Sequence, residues 1–285
     1  MNDEKKYESL ELKECSELEK LEIHLLLEGV YRHYGLDFRN YAFTSIRRRI
    51  WYRMKAEKIE TVTSLLDRLL HDRKLMEKLY YDFSINVTEM FRDPSFFRTL
   101  RTTVLPALKK LSKIRIWHAG CSTGEEPFSM AILLKEEGLL EKTYIYATDM
   151  NDQVLEKAKL GKFPLKKMKS YTSNYVQSGG LNDFSEYYTV SNEHAVFSKE
   201  LSKNIFFAQH NLVTDGSFNE FHIIICRNVL IYFDKQLQSR VHQLFFNSLT
   251  TDGYLGLGNR EGISFTGQEK NYKIINEKEK IYQKI

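Results

Sequence analysis

Apolar residues recur at helical spacing through the first part of the chain. Ile46, Ile50 and Met54 fall on one face, as do Leu65 and Leu69, with Leu75 and Met76 close behind. Residues 1–83 hold no proline and two glycines, so the pattern predicts a small all-helical domain. From Ile114 the rhythm changes. IRIW reads as a strand, followed by a glycine-containing turn and a helix over PFSMAILLKEEG that ends at Gly138. TYIYATD is a second strand, and NDQVLEKAKLG a second helix closed by Gly161. Alternation of this kind predicts an α/β domain over residues 84–285, with a parallel sheet covered by helices. Residues 163–204 break the alternation. They are rich in Lys, Ser, Asn and Tyr, and the runs EYYTV and HAVF suggest a small antiparallel β insert. NIFFA, FHIIIC, a helix from about Lys235 to Leu249 and YLGLG then resume the pattern, and KIINEKEKIYQKI predicts a closing antiparallel hairpin.

The 285 residues suit about two domains. Hydrophobic and charged fractions of 42% and 28% are those of globular proteins, which excludes extended disorder. A net charge of +4 is too mild to announce nucleic acid. Cys15, Cys121 and Cys226 lack CxxC spacing and follow an acidic, polar N-terminus, so a reduced, cytoplasmic protein is expected. No apolar run approaches the ~20 residues that span a bilayer, and direct membrane insertion is not expected. The eight histidines are scattered, and His210 with His222 has no ligand spacing, so no metal site is expected.

The chemistry gathers where the first strand ends, at HAGCSTGEEP, residues 118–127. Ala119, Gly120, Ser122, Thr123 and Gly124 allow a sharp turn and close approach of backbone to a ligand. The spacing is neither GxGxxG nor GxxxxGK[ST], which disfavours a dinucleotide or triphosphate cradle. Glu125 and Glu126 stand at the helix start, where they would repel an anion and suit a cation such as a sulfonium. Asp149 ends the second strand, where such folds place a ribose-binding carboxylate; its alternative role is to cap the helix beginning near Asn151. Together these features favour S-adenosylmethionine over NAD. Later strands lead to His210, Asn211 and Leu212 and to Arg227, Asn228 and Val229. Both asparagines have the donors and acceptors that adenine or an amino-acid group requires, or they serve local backbone.

INVTEMFRDPSFF (85–97), IWHAGCSTGEEPFS (116–129), ATDMNDQVLEKAKLGKF (147–163), HNL (210–212) and CRNVLIYFD (226–234) together resemble the successive signatures of CheR-type chemotaxis receptor methyltransferases. These are S-adenosylmethionine-dependent protein-glutamate O-methyltransferases. The resemblance runs from about residue 30 to 260. It implies an all-α N-terminal domain followed by a Rossmann-like methyltransferase domain carrying a small antiparallel insert. It also implies cofactor contacts from Asn86, Thr88, Arg92, Glu126, Asp149, Asn211, Leu212, Arg227 and Asn228. Arg92 and Tyr232 are expected near the transferred methyl. From the residues alone, Asn86 and Thr88 would cap a helix and Arg92 would pair with Asp93 or Glu89. Met90, His118, Phe128 and GNREG (258–262) depart from the usual pattern, which bears on fine specificity.

An ordinary glutamate, pKa ~4.3, is already ionised at neutral pH, so its methylation needs no general base. It needs alignment and exclusion of water, which can supply ~7–11 kcal/mol. An acidic partner also fits residues 31–60, where eight Lys or Arg face three acidic residues. Arg47, Arg48, Arg49 and Arg53, on a basic helix near 45–58, become candidates to meet a receptor's cytoplasmic helices, although such a face by itself is often only solvated. A second lysine cluster runs from Lys157 to Lys169 beside the insert. A monomer is expected, recruited to membrane receptor arrays. A nucleic-acid methyltransferase is disfavoured because Pro-Pro-Tyr/Phe and Pro-Cys motifs are absent. A non-catalytic sensor or scaffold binding the same cofactor is the other class.

Overall fold

The computed structural model describes residues 15–84 and 86–285, and its first helices open on side chains suited to capping. Helices span Glu17–Tyr34, Phe43–Ala56, Val62–His71 and Arg73–Phe83. The Ser16 hydroxyl accepts from the Glu19 N–H at 3.1 Å, and Gly35, at φ +72°, closes the first helix with its N–H on the Tyr31 carbonyl. Asp72 ends one helix and starts the next, its carboxylate accepting from the N–H groups of Lys74 and Leu75. The expected apolar faces are buried: Ile46, Ile50 and Met54, then Leu65 and Leu69, then Leu75 and Met76.

Contacts divide the chain into two units, and the helical one also takes in Ile231–Gln238. Within it, Tyr41 and Phe233 form an antiparallel bridge with ring centroids 5.0 Å apart. The Ala42 N–H donates to the Tyr232 carbonyl at 2.8 Å, and the Asp234 N–H to the Asn40 carbonyl at 2.9 Å. Pattern reading placed these eight residues with the C-terminal domain.

The second unit is built on a seven-stranded sheet. Its strands are β1 (Ile114–Ala119), β2 (Thr143–Asp149), β6 (Ile205–Gln209), β7 (Phe221–Cys226), β8 (Leu249–Leu257), β9 (Tyr272–Asn276) and β10 (Ile281–Lys284), in the order β6-β2-β1-β7-β8-β10-β9. The pairs from β6 to β8 are parallel, and β10 is antiparallel to both β8 and β9, which makes the closing hairpin. Central strands buried on both faces read as the apolar runs IRIW and HIIIC, as a covered parallel sheet requires. Helices Glu125–Glu136 and Asp152–Lys159 follow β1 and β2. Trp117 is fully buried on β1, its indole N–H bonded to the Thr148 hydroxyl at 2.8 Å and its ring against Phe221 and Phe245. That packing fixes the strand just before it reaches His118.

The insert holds β3 (Lys162–Pro164), β4 (Tyr188–Ser191) and β5 (His194–Phe197), a small antiparallel sheet in the order β3-β5-β4. It also contains a helix, Met168–Gln177, that the polar composition concealed. Tyr171 and Tyr175, one turn apart, are its buried face. Gly180 follows because a Cβ there would sit 2.2 Å from the Tyr175 ring. Before β1, residues 94–108 form helical segments around a π turn at Leu100–Val104, in a stretch where the sequence suggested no element.

Candidate active site

The carboxyl ends of β1, β2, β7 and β8 supply the polar groups of the second unit's candidate site, as ligand positions in doubly wound sheets require. Gly120 lies at φ +85°, and a Cβ on it would meet Val229 Cγ2 at 2.5 Å. Only glycine therefore lets the turn after β1 lie against the loop after β7. The N–H groups of Gly120 and Cys121 both reach the Thr148 carbonyl, at 2.8 and 2.9 Å. Asp149, 8% exposed, accepts from the Ser122 N–H at 2.9 Å and the Asn151 N–H at 3.0 Å. The helix cap is Asn151, whose side chain accepts from the Val154 N–H, so the capping role open to Asp149 falls to its neighbour. Burial raises the Asp149 carboxyl above its ordinary range, against the backbone donors that stabilise its charge.

The two glutamates at the helix start do not form the open anionic end that their positions suggest. Glu125 is buried and accepts from the Thr123 hydroxyl at 2.6 Å and the Tyr171 hydroxyl at 3.1 Å, with Lys167 at 3.7 Å. Glu126 accepts from Arg227 at 3.0 Å and lies 2.9 Å from His118 Nδ1. Burial would raise its pKa, but the His118 hydrogen bond and the Arg227 charge leave it below the ordinary carboxylate value. The Arg227 side chain is 1% exposed and also bonds Asp93 at 2.5 Å, with its guanidinium carbon 4.3 Å from the Phe96 ring centroid. One buried guanidinium thus ties together the 86–93 segment, the glycine turn and the end of β7.

Asp93 is therefore the partner of Arg227 and not of Arg92. Arg92 donates to the Val87 carbonyl at 3.1 Å and forms no ion pair among the described residues. It sits between Phe91 and Asp93, both in the left-handed region at φ +50° and +55°, an unusual backbone for such residues. The Phe91 N–H is held by the Ser129 hydroxyl at 2.9 Å, which itself donates to the Glu125 carbonyl. Asn86 accepts from the Ser122 hydroxyl at 3.2 Å, and Thr88 is half-buried. Asn211 Oδ1 accepts from the Val213 N–H at 2.9 Å, the local backbone role that its sequence position allowed, and Leu212 is buried. Asn228 is left-handed at φ +61°.

In the helical unit, Tyr232 ends the short turn Leu230–Tyr232 and gives its carbonyl to Ala42. Arg47 and Arg53 there are engaged internally. Arg47 bonds Glu19 at 2.7 and 3.0 Å, and Arg53 pairs with Asp82 at 2.7 Å and Glu57 at 3.1 Å. Both side chains are no more than 15% exposed. Arg48 and Arg49 are half-buried, so the basic helix presents less free charge than its sequence suggests.

The departures from the expected motifs are structural. Met90 is buried in the core, His118 pairs with Glu126, and Phe128 packs against Phe163 and Phe197 of the insert. In GNREG, Glu261 is the residue that motif reading passed over. Its buried carboxylate accepts from the N–H groups of Asn228, Val229 and Leu230. The only sequence signal was an acidic residue in the loop just after β8.

Among the described residues no cluster of three or more His, Cys, Asp or Glu could hold a metal ion, and no helix is long and apolar enough to cross a membrane. A glycine turn without a lysine or arginine, a buried acid ending β2 and a compensated arginine suit a neutral nucleoside better than a phosphate. The fold and these groups define an S-adenosylmethionine-dependent methyltransferase. More particularly, the chain belongs to the CheR methyltransferase family: "CheR methyltransferase, SAM binding domain" matches residues 86–281 and "CheR methyltransferase, all-alpha domain" matches residues 21–84. It is 45% identical to the putative methyltransferase Cher3 of Pseudomonas putida, over 93% of this chain and 97% of that one. It is 32% identical to a chemotaxis protein methyltransferase of Listeria innocua (82% and 87% covered) and 30% identical to one of Borreliella burgdorferi (86% and 89% covered).

Proposed function

We propose that this enzyme esterifies glutamate side chains on the cytoplasmic helices of chemotaxis receptors, acting in the cytoplasm as a monomer recruited to receptor arrays. The observation that carries the acceptor class is Arg92, which has no ion-pair partner among the described residues, while its neighbour Asp93 is taken up by Arg227. An uncompensated guanidinium suits a carboxylate, either that of the acceptor or that of the cofactor's amino-acid end. The names of the Listeria and Borreliella relatives support the receptor reading.

S-Adenosylmethionine, when bound, supplies an electrophilic methyl group on a sulfonium. Asn86, Thr88, Glu126, Asp149, Asn211, Leu212, Arg227 and Asn228 would hold it. The acceptor carboxylate arrives ionised, so the protein removes no proton. Arg92 orients the anion, and the Tyr232 hydroxyl donates a hydrogen bond beside the reacting oxygen. The helix Phe43–Ala56, which carries Arg47, Arg48, Arg49 and Arg53, would meet an acidic receptor helix, while Arg47 and Arg53 brace it within its own unit through Glu19 and Asp82.

Methyl-labelled cofactor and a receptor cytoplasmic fragment should give label that mild alkali releases as methanol, and Glu→Ala changes at the acceptors should abolish it. Alkali-stable label would mean N- or C-methylation and another acceptor. Tyr232→Phe should slow transfer about tenfold with cofactor affinity unchanged; equal rates would remove the hydroxyl from the mechanism.

A further inference from the structure

The loop that leaves β7 turns three consecutive backbone N–H groups, those of Asn228, Val229 and Leu230, toward one point. Glu261 fills that point. Its Oε2 accepts from Asn228 at 3.0 Å and from Gly258 at 2.7 Å, and its Oε1 accepts from Val229 at 2.9 Å and Leu230 at 2.8 Å. The residue is 7% exposed. Successive N–H groups around a left-handed residue form an anion-binding concavity, and here the anion is the protein's own. The surroundings leave no slack: a Cβ on Gly258 would lie 2.7 Å from Glu261 Oε2 and 2.9 Å from the Asn228 nitrogen. On the other side, Val229 closes against Gly120 of the glycine turn.

We infer that Glu261 is a positioning residue for the cofactor site: its carboxylate holds residues 228–230 in the one backbone form that presents Asn228, and sets Val229 against Gly120. The inference rests on the reading above that Asn228 contacts S-adenosylmethionine. An unsupported asparagine at φ +61° has better conformations available. Three N–H groups facing one another without an acceptor would also drive the loop apart. A glutamine cannot substitute. Its amide offers one acceptor oxygen and turns an NH2 group toward donors already in place.

The test is calorimetric binding of S-adenosylhomocysteine to the full chain, beside thermal melting, for wild type, Asn228→Ala, Glu261→Gln, Glu261→Asp and the double variant Asn228→Ala/Glu261→Gln. Glu261→Gln should raise Kd about tenfold at a temperature well below its melting point. Glu261→Asp, which keeps the charge on a shorter stem, should recover part of that loss. The double variant should bind about as weakly as the weaker single one, because Glu261 acts through Asn228. At saturating cofactor the KM for the acceptor should stay unchanged. If Asn228→Ala weakens binding while both Glu261 variants bind like wild type, Glu261 only braces the fold and the inference fails. If Asn228→Ala also binds like wild type, the assignment of Asn228 to the site fails first. Should Glu261→Gln not fold, the aspartate variant decides by the same comparison.

Discussion

Replacing Arg227 with methionine is expected to destabilise the fold by about 3–5 kcal/mol, the range for breaking one side of a buried ion pair. Methionine keeps the apolar contact with Phe96 and removes the charge. Glu126 would then depend on His118 alone, and Asp93 would lose its partner. Asp93 is 32% exposed and water can recover part of its solvation, so most of the cost falls on Glu126. Lysine is no remedy, since one ammonium cannot span both carboxylates as the planar guanidinium does. Urea unfolding at neutral pH measures the loss. A variant within 1 kcal/mol of wild type would show that Arg227 is held by packing rather than by charge.

Glu136→Gln should have the next largest effect, on the order of 3 kcal/mol, and should change how the protein responds to acid. The Glu136 side chain is fully buried at the end of its helix. One oxygen accepts from the hydroxyls of Tyr175 and Tyr187 and from the Leu181 N–H, and the other pairs with Arg101. Burial would push this carboxyl up, but the tyrosine hydroxyls and Arg101 outweigh it and hold the pKa below the ordinary value. A depressed carboxyl contributes stability that is present above the unfolded value, ~4.3, and is lost as pH falls through the lower folded one. The wild type should therefore lose Tm as pH falls below about 4.3, and Glu136→Gln should start lower and fall less steeply. Parallel melting curves for the two across that range would exclude Glu136 as a source of acid sensitivity. The insert should respond first, because three of the four donors belong to it.

Arg227 and Glu136 also mark where sequence reading stops. Strand ends and the glycine turn were legible because chain geometry forces them: IRIW and HIIIC are apolar because both faces of β1 and β7 are covered, and Gly120 is demanded by Val229. The motif residues of the site could be named one by one. Their partners could not, since a charge's role depends on what the fold brings beside it. Glu125 and Glu126 looked like a field that greets a cation, yet one binds Tyr171 of the insert and the other Arg227. Arg47 and Arg53 looked like a docking face, yet each holds a carboxylate of its own unit. The helix Met168–Gln177 was hidden because its buried stripe is tyrosine within a run of Lys, Ser and Asn.

The segment Ile231–Gln238 carries a consequence for synthesis. The helices Glu17–Tyr34 to Arg73–Phe83 are made early, but the backbone that pairs with Asn40, Tyr41 and Ala42 emerges about 150 residues later. At ~5–20 residues per second, the nascent helices wait roughly 8–30 s before the Phe233 ring can pack on Tyr41. The N-terminal part is thus completed only after most of the methyltransferase domain has been translated. A gene fragment ending near residue 84 would encode a unit without its last piece.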